Sequence, residues 1–178
     1  MPEQQHIASQ EEPGGPRWLT ACEKRAWLAF QGACRLVDEA IDRDLQANSG
    51  LGHSDYLILA MLAAVPERRL RMSALADLVY VSRSRLTYQV TRLEQAGLVR
   101  REECPSDKRG ALAVLTPEGY DALRAAAPGH VACVRRVFFD LLTPEQVDVL
   151  GDALGAIMDR LLADPERRLI AELWSAAS

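Results

Sequence analysis

The sequence has no apolar run approaching the roughly 18 residues that a membrane-spanning helix needs. Its first seventeen residues contain Glu3, Glu11 and Glu12, together with Gly14 and Gly15, where a secretory signal would have an apolar stretch. These absences predict a soluble, cytoplasmic protein with no membrane partner.

The residues that build metal sites and enzyme active sites are few and scattered. None of the 4 cysteines belongs to a C-x-x-C pair, and none of the 3 histidines lies near a cysteine at zinc-ligand spacing. The G-x-S-x-G, P-loop, H-E-x-x-H and G-x-G-x-x-G motifs are also missing. We therefore expect no metal site, no cofactor and no enzymatic activity.

What the sequence does contain is a balanced globular composition with an uneven distribution of charge. The chain has 178 residues, 48% of them hydrophobic and 26% charged, which suits one domain with or without dimerisation arms. Its formal charge is −4, but Glu67 to Gly110 holds ten basic and six acidic residues, a local +4 that leaves −8 for the rest. This basic middle third indicates a surface that faces a polyanion.

The N-terminal part predicts a tail and one long helix. Residues 1–17 have no hydrophobic period and are expected to form a flexible tail. Within residues 18–50, Thr20 and Glu23 have capping-box spacing, so a helix should begin there and end near Gly50. An apolar stripe at steps of three and four, typical of a bundle or dimerisation helix, consists of Trp27, Phe30, Cys34, Val37, Ile41 and Leu45.

Residues 51–118 predict a small lobe with two short, closely spaced helices. Ser54 is expected to cap a short apolar helix, Ser73 a helix of about seven residues, and Ser82 a helix at about 83–96 that stops at Gly97. In the last of these helices, the side chains predicted to face the core are Leu86, Val90 and Leu93. The opposite side has a polar and basic composition without a central acidic residue, which favours contact with phosphates and base edges.

A change of period after Gly97 predicts a β-hairpin at about 98–116. The strands are expected at Leu98–Glu103 and Ala111–Leu115, joined by the loop Cys104–Gly110 with a basic tip. Thr116 and the proline after it should begin the next helix.

Residues 119–163 predict further dimerisation helices. The first should be interrupted or kinked at Pro128 and Gly129 and continue to Leu141, and Thr143 should cap the last. A seam as narrow as that of a coiled coil is formed by Val147, Leu150, Leu154, Ile157 and Leu161. Residues 164–178 are expected to form a short amphipathic segment.

Two short helices followed by a basic hairpin predict a winged helix-turn-helix: mainly α, with a small β-hairpin wing. The second helix would enter the major groove of double-stranded DNA. For Arg100 and Arg101, beside the wing, solvated surface and DNA contact are both open. The predicted DNA-binding residues are Ser82, Arg83, Ser84, Arg85, Thr87, Tyr88, Gln89, Thr91, Arg92, Asp107, Lys108 and Arg109.

The sequence resembles the multiple-antibiotic-resistance regulator (MarR) family of bacterial transcription factors. The resemblance rests on Asp107-x-Arg109 followed after five residues by Leu115-Thr116-x-x-Gly119, and on the run from Ser82 to Val99, and it covers roughly residues 20–163. It implies a homodimer with intertwined terminal helices, a pseudo-palindromic operator, and an effector crevice between lobe and dimer helices. It also implies that Arg109 enters the minor groove while Asp107 holds the wing.

These features predict a repressor of nearby genes that a small aromatic effector releases. The candidate effector contacts are Trp27, Phe30, His53 and Tyr56. One alternative is a thiol-based redox regulator: Cys34 lies in the apolar stripe, where a thiol should be inert, and Cys104 is expected to be the most exposed thiol, although nearby acidic residues disfavour its thiolate. A further alternative is a winged-helix dimer used for protein contacts alone.

Overall fold

The computed structural model describes residues 15–104, 107–163 and 170, with residues 107–109 described by their backbone alone. Within these ranges no helix is long and apolar enough to cross a membrane. The elements are α1 (Ala21–Ser49), α2 (His53–Ala64), β1 (Arg69–Arg71), α3 (Met72–Leu78), α4 (Arg83–Gln95), β2 (Val99–Cys104), β3 (Asp107–Leu115), α5 (Pro117–Val137) and α6 (Pro144–Leu162).

The chain divides into two compact units, Met1–Arg35 and Leu36–Ser178, with α1 beginning in the first. The predicted capping box is confirmed, because the Glu23 amide donates to Thr20 Oγ1 and the Thr20 amide donates to the Glu23 carboxylate. These hydrogen bonds hold the pKa of Glu23 below its usual range. Every described side chain from Trp18 to Phe30 is exposed in this single chain.

The core lies in the second unit and is built from one face of each helix. On α1, Ile41 and Leu45 are buried and Val37 is partly buried, so the C-terminal half of the predicted apolar stripe packs inward. The largest fully buried side chains are Ile58, Leu59, Leu62, Leu75, Leu86, Val90, Val99 and Cys133.

The sheet has three antiparallel strands in the order β1-β3-β2, where the sequence predicted a two-stranded hairpin. The extra strand, β1, has three residues and pairs Leu70 with Ala113. A segment this short carries no hydrophobic period, so its conformation depends on pairing with β3. Strand β3 also begins at Asp107, so the backbone of Lys108 and Arg109 is extended instead of forming the predicted loop.

For α5 the structure contradicts an interruption, because the helix runs from Pro117 to Val137 with Pro128 inside it, and it ends before the predicted Leu141. An internal proline removes one backbone hydrogen bond and costs about 3 kcal/mol. The buried side chains of Leu123, Ala126 and Cys133 offset this cost by packing on both sides of the proline. The helix ends before a 3-10 turn at Phe139–Leu141.

Helix starts agree with the sequence where a threonine or serine side chain accepts a hydrogen bond. Ser82, Thr116 and Thr143 accept from the third amide of α4, α5 and α6 respectively. The expected caps Ser54 and Ser73 are wrong, since α2 begins at His53 and α3 follows β1 directly at Met72. Of the predicted segment 164–178, all but residue 170 lies outside the described residues.

Candidate nucleic-acid interface

Helix α4 presents a polar and basic surface on the side opposite the core. Leu86, Val90 and Leu93 are buried, which fixes the rotation of the helix. The exposed side chains define what we call the recognition face: Arg83, Ser84, Arg85, Thr87, Tyr88 and Arg92. The ring of Tyr88 is 67% exposed, at the centre of this face.

The start of α4 is held by its own side chains. Ser82 Oγ accepts from the Arg85 amide at 3.3 Å and lies 3.1 Å from Ser84 Oγ. Thr87 Oγ1 donates to the Arg83 carbonyl at 2.8 Å. These local hydrogen bonds order the first turn, which is the part of a recognition helix that approaches base edges.

Gln89 is placed differently from the prediction, because the structure buries it at 6% exposure. It lies next to the buried Val90, and its Oε1 has no hydrogen-bond partner in the described part of the chain. A buried amide cannot reach a base edge without leaving the core, so Gln89 does not belong to the recognition face.

Gln89 instead lines a polar pocket of about 270 Å³ between α1, α2 and α4. Within it, Arg92 Nη2 lies 3.6 Å from the carboxylate of Asp55, whose side chain is 7% exposed. The Asp55 carboxylate also accepts from the Gly52 amide, and Asp42 accepts from the His53 amide at 2.8 Å. Arg92 thus connects the recognition face to the start of α2.

Arg101, on the wing strand β2, contacts α4 at several points. Its Nη2 donates to the Thr87 carbonyl at 2.9 Å and to Thr91 Oγ1 at 2.8 Å. Its Nη1 lies 3.3 Å from the Glu94 carboxylate, which also accepts from the Arg101 amide. The sequence left Arg101 open between surface and contact, since strand alternation does not reveal which helix a side chain meets.

The base of the wing is fixed by the end of α4 and the start of α5. Gly97 has a φ of +73°, and the amides of Gly97 and Leu98 donate to the carbonyls of Glu94 and Leu93, a Schellman motif. The Thr116 hydroxyl donates to the Gly97 carbonyl at 2.8 Å, and the Thr116 amide donates to the Leu98 carbonyl at 3.2 Å.

Gly119 completes this junction between the wing and α5. A Cβ atom at Gly119 would lie 2.0 Å from the Leu98 carbonyl oxygen, so no larger residue fits there without a backbone shift. The side chains of the predicted wing contacts Asp107, Lys108 and Arg109 lie outside the described residues.

The candidate effector contacts fall in the two separate units. In the first unit, Trp27 and Phe30 are half-exposed and stacked with their centroids 6.1 Å apart. In the second unit, Tyr56 is buried, and its ring centroid lies 4.2 Å from that of His130. The ring centroids of His53 and His130 are 5.9 Å apart.

The group of His53, Tyr56 and His130 connects three helices. His53 and Tyr56 belong to α2, His130 belongs to α5, and His53 Nδ1 lies 2.6 Å from a carboxylate oxygen of Asp38 on α1. His130 Nδ1 is buried without a hydrogen-bond partner among the described residues. Burial, together with the neighbouring His53, lowers the pKa of His130, and burial raises the pKa of Tyr56. Both groups are therefore held in their neutral forms. Across the described ranges, no three metal-ligating side chains converge on one point.

The exposure of the cysteines differs from the prediction that Cys104 is the most exposed thiol. Cys104 is buried, whereas Cys22 and Cys34 are exposed in this single chain. The expectation for Cys104 fails because the residue turns inward at the end of β2, opposite Asp107 of β3. Cys133 is also buried, and burial together with the nearby Asp44 raises the pKa of its thiol.

A short helix presenting an arginine-rich face, preceded by a short helix and followed by an antiparallel wing, defines a winged helix-turn-helix DNA-binding protein. The comparisons with known proteins agree. A family model described as the MarR family matches residues 49–110.

Individual relatives extend the similarity along the chain. The chain resembles Sco3205 of Streptomyces coelicolor, a MarR-family regulator solved in complex with DNA, with 49% identity, a TM-score of 0.77, and coverage of 86% of this chain and 96% of that one. It is 31% identical to the uncharacterized regulator YkoM of Bacillus subtilis, over 67% of this chain and 76% of that protein. It is 30% identical to the transcriptional repressor YetL of the same organism, over 65% of this chain and 68% of that protein.

The chain belongs to the MarR family of transcriptional regulators. The predicted family, winged-helix fold and DNA-binding regulatory function are thereby confirmed. Because members of this family regulate transcription, the prediction that the chain is not an enzyme is confirmed as well.

Proposed function

We propose that the chain is a homodimeric repressor that binds a pseudo-palindromic operator in the cytoplasm and is released by a small-molecule effector. The observation that carries the proposal is the exposed arginine, hydroxyl and tyrosine side chains of the recognition face, on a helix whose opposite side is fully buried. The similarity to a protein named as a repressor supports the direction of control.

The recognition face suits a division between anchoring and reading. Arg83, Arg85 and Arg92 would bind phosphates, because a guanidinium donates to two oxygens of one phosphate. Ser84, Thr87 and Tyr88 would face base edges in the major groove. Thr91 is excluded from this group because its hydroxyl binds Arg101.

The wing would add contacts in the adjacent minor groove. Strand β3 of the wing begins with Asp107, Lys108 and Arg109, and a narrow minor groove attracts cationic side chains. Residues 51–118 would thus form the DNA-binding lobe, and residues 18–50 and 119–163 would supply the dimerisation helices.

Exposed apolar surface supports the homodimer. On α6, Ile157 and Leu161 are each 55% exposed, and both belong to the predicted seam. On α1, Trp27 is 51% exposed. Two apolar helix faces left open on one chain indicate a second copy that covers them.

An effector crevice is supported by the group His53, Tyr56 and His130. These aromatic rings lie close together, and Nδ1 of His130 has no hydrogen-bond partner among the residues that the structure describes. A small aromatic compound with a hydroxyl or acidic group would therefore find both stacking and hydrogen-bonding partners. Because this group contacts α1, α2 and α5, a ligand there would favour one arrangement of these helices and shift the population away from the DNA-binding one.

Selection of bound sequences from a random DNA pool tests the DNA-binding proposal. We expect an inverted repeat with half-sites about 10 base pairs apart between centres, each read by one lobe. Recovery of sequences without two-fold symmetry would contradict the proposed mode of binding.

The recovered operator then allows the anchoring role to be measured. Arg85→Ala should reduce the slope of log affinity against log salt by about 0.9 for each phosphate that the variant no longer binds. Arg135→Ala, which removes an arginine paired with Asp140 at the end of α5, is the matched control and should leave the slope unchanged. Equal slopes in both variants would remove Arg85 from the interface.

Sedimentation equilibrium tests the homodimer. Ile157→Arg should convert the dimer to a monomer, whereas Ala156→Arg, on the same helix outside the predicted seam, should leave it dimeric. A wild-type protein that is monomeric at micromolar concentration would contradict the homodimer.

Displacement of the labelled operator by a panel of small aromatic acids and phenols tests effector release. Because Tyr56 is part of the core, the measurement is made at a temperature where circular dichroism shows the variant folded; there Tyr56→Ala should abolish the response to any active compound and still bind the operator in its absence. A response that survives this substitution would place the effector elsewhere.

A further inference from the structure

The guanidinium of Arg101 joins the wing to the recognition helix. It extends from β2 and donates to two groups on successive turns of α4, the Thr87 carbonyl and the Thr91 hydroxyl. The carboxylate of Glu94, one turn further along α4, binds both the backbone amide and the guanidinium of Arg101. One side chain therefore connects three positions of the helix to one position of the wing.

The hydrogen bonds at this contact depend on one another. Thr91 Oγ1 donates to the Thr87 carbonyl at 2.8 Å while accepting from Arg101, so its hydroxyl hydrogen is fixed in direction. The donors of Arg101 are turned toward α4, and its side chain is 30% exposed. The neighbouring Arg100 is 53% exposed and is paired within its own strand to Glu102.

We propose that Arg101 is a positioning residue for DNA binding: through Thr91 and Glu94 it holds the wing and the recognition helix at one fixed separation. The proposal rests on the proposed function, in which α4 and the wing bind neighbouring grooves of the same operator. Two contact elements bind one rigid duplex with full affinity only when the distance between them matches the grooves. A hairpin attached to the lobe by its base alone would lose part of that affinity in becoming ordered.

A direct contact between Arg101 and a phosphate is the competing role, and the two roles predict opposite effects for neighbouring substitutions. If Arg101 positions the wing, then Glu94→Gln and Thr91→Val both weaken operator binding, because each removes part of the connection. If Arg101 binds a phosphate, Glu94→Gln strengthens binding, because it frees the guanidinium and removes a negative charge near DNA. Thr91→Val would then have no effect.

The experiment compares Arg101→Ala, Thr91→Val and Glu94→Gln with the control Arg100→Ala, which removes the same charge from the same strand without a contact to α4. Affinities for the selected operator and for an unrelated duplex are measured over a range of salt concentrations, at a temperature where circular dichroism shows each variant folded. We expect the first three to lose about two- to a hundredfold in operator affinity, the range of coupling within one hydrogen-bond network. Their affinity for the unrelated duplex and their salt slopes should stay close to those of the control.

The double variant Arg101→Ala/Thr91→Val separates positioning from base reading by Thr91. If the two residues act through one connection, the double variant binds no more weakly than Arg101→Ala alone. Multiplied losses would overturn the proposal, as would a gain in affinity for Glu94→Gln or a salt slope reduced by about 0.9 in Arg101→Ala alone.

Failure of the wild type to select any sequence would contradict the proposed function itself. Normal operator binding by all three variants would contradict only the role of Arg101. If Arg101→Ala does not fold, Thr91→Val and Glu94→Gln still decide the question, since each keeps the charge of Arg101.

Discussion

Replacing Gly119 by alanine tests whether the wing base and the start of α5 are as closely packed as the structure shows. The new Cβ would lie 2.0 Å from the Leu98 carbonyl oxygen and 2.9 Å from Leu115 Cδ1. Real Cβ atoms essentially never approach other atoms closer than 3.0 Å, so the Leu98 carbonyl and the start of α5 must move apart by about 1.0 Å. That carbonyl belongs to the backbone and cannot rotate away as a flexible side chain can.

The expected cost follows from two contributions. Forcing an extra methyl group into a well-packed site costs about 1–3 kcal/mol. The displaced carbonyl also weakens its hydrogen bond from the Thr116 amide, worth about 0.5–1.5 kcal/mol. Together these give a loss of about 2–4 kcal/mol, which for a chain of this length corresponds to a Tm lower by roughly 5–15 °C.

Thermal and urea unfolding at equal protein concentration measure the effect, because the stability of a dimer depends on concentration. Gly129→Ala is the matched control. It lies on the same helix with nothing within 4 Å of the position that a Cβ atom would take, and alanine there should be neutral or stabilising by up to about 1 kcal/mol.

Operator affinity at a temperature where both variants are folded provides a second measurement. Gly119→Ala should bind more weakly than Gly129→Ala, since a shift of the Leu98 carbonyl moves the base of the wing. Equal stability of the two variants would refute the packing argument. A loss of stability with unchanged operator affinity would show that the displacement does not reach the DNA-binding surface.

Four further expectations concern the wing, the recognition helix, the thiols and pH. Arg109→Ala should weaken operator binding by about 1–3 kcal/mol without changing Tm, as measured by gel shift and melting; unchanged affinity would remove it from the interface. Replacing Tyr88 by alanine should change the preference among operator variants, whereas equal weakening for every sequence would make it an anchor. A variant with all four cysteines replaced by serine should match the wild type in keeping its operator affinity after peroxide; a loss confined to the wild type would favour redox control. Because the pKa of His130 is lowered in the folded state, stability should fall as pH drops below about 6.5, where the unfolded chain takes up a proton first, and His130→Gln should flatten this dependence in urea unfolding between pH 7 and 5; an unchanged pH profile would contradict it.

Local chemistry explains which elements were predictable from the sequence. The starts of α1, α4, α5 and α6 follow from hydroxyl and carboxylate side chains that reach amides within three residues along the chain. The end of α4 follows from Gly97, because a positive φ there is strained for residues with a Cβ atom. The core side of α4 follows from the spacing of Leu86, Val90 and Leu93.

Features that depend on partners distant in the sequence were not predictable. Strand β1 is three residues long and exists through its pairing with β3, more than forty residues later. The continuity of α5 across Pro128 depends on packing of its buried face, which outweighs the local cost of the proline. Burial of Cys104 follows from its position at the end of β2, although the two residues before it, Glu102 and Glu103, are charged.

The recognition helix shows the same division within a few residues. The sequence alone predicts that α4 has a buried side and a side rich in arginine and hydroxyl groups, because helical periodicity depends only on residues within about four positions of one another. Tertiary contacts account for the burial of Gln89 near Asp55, one residue after the exposed Tyr88, and for the hydrogen bond between Thr91 and Arg101. Gln89 and Thr91 lie nearer the boundary between the two sides than Tyr88 does. Exposure at such positions depends on which other elements pack against the helix, and α2 and β2 supply those contacts here.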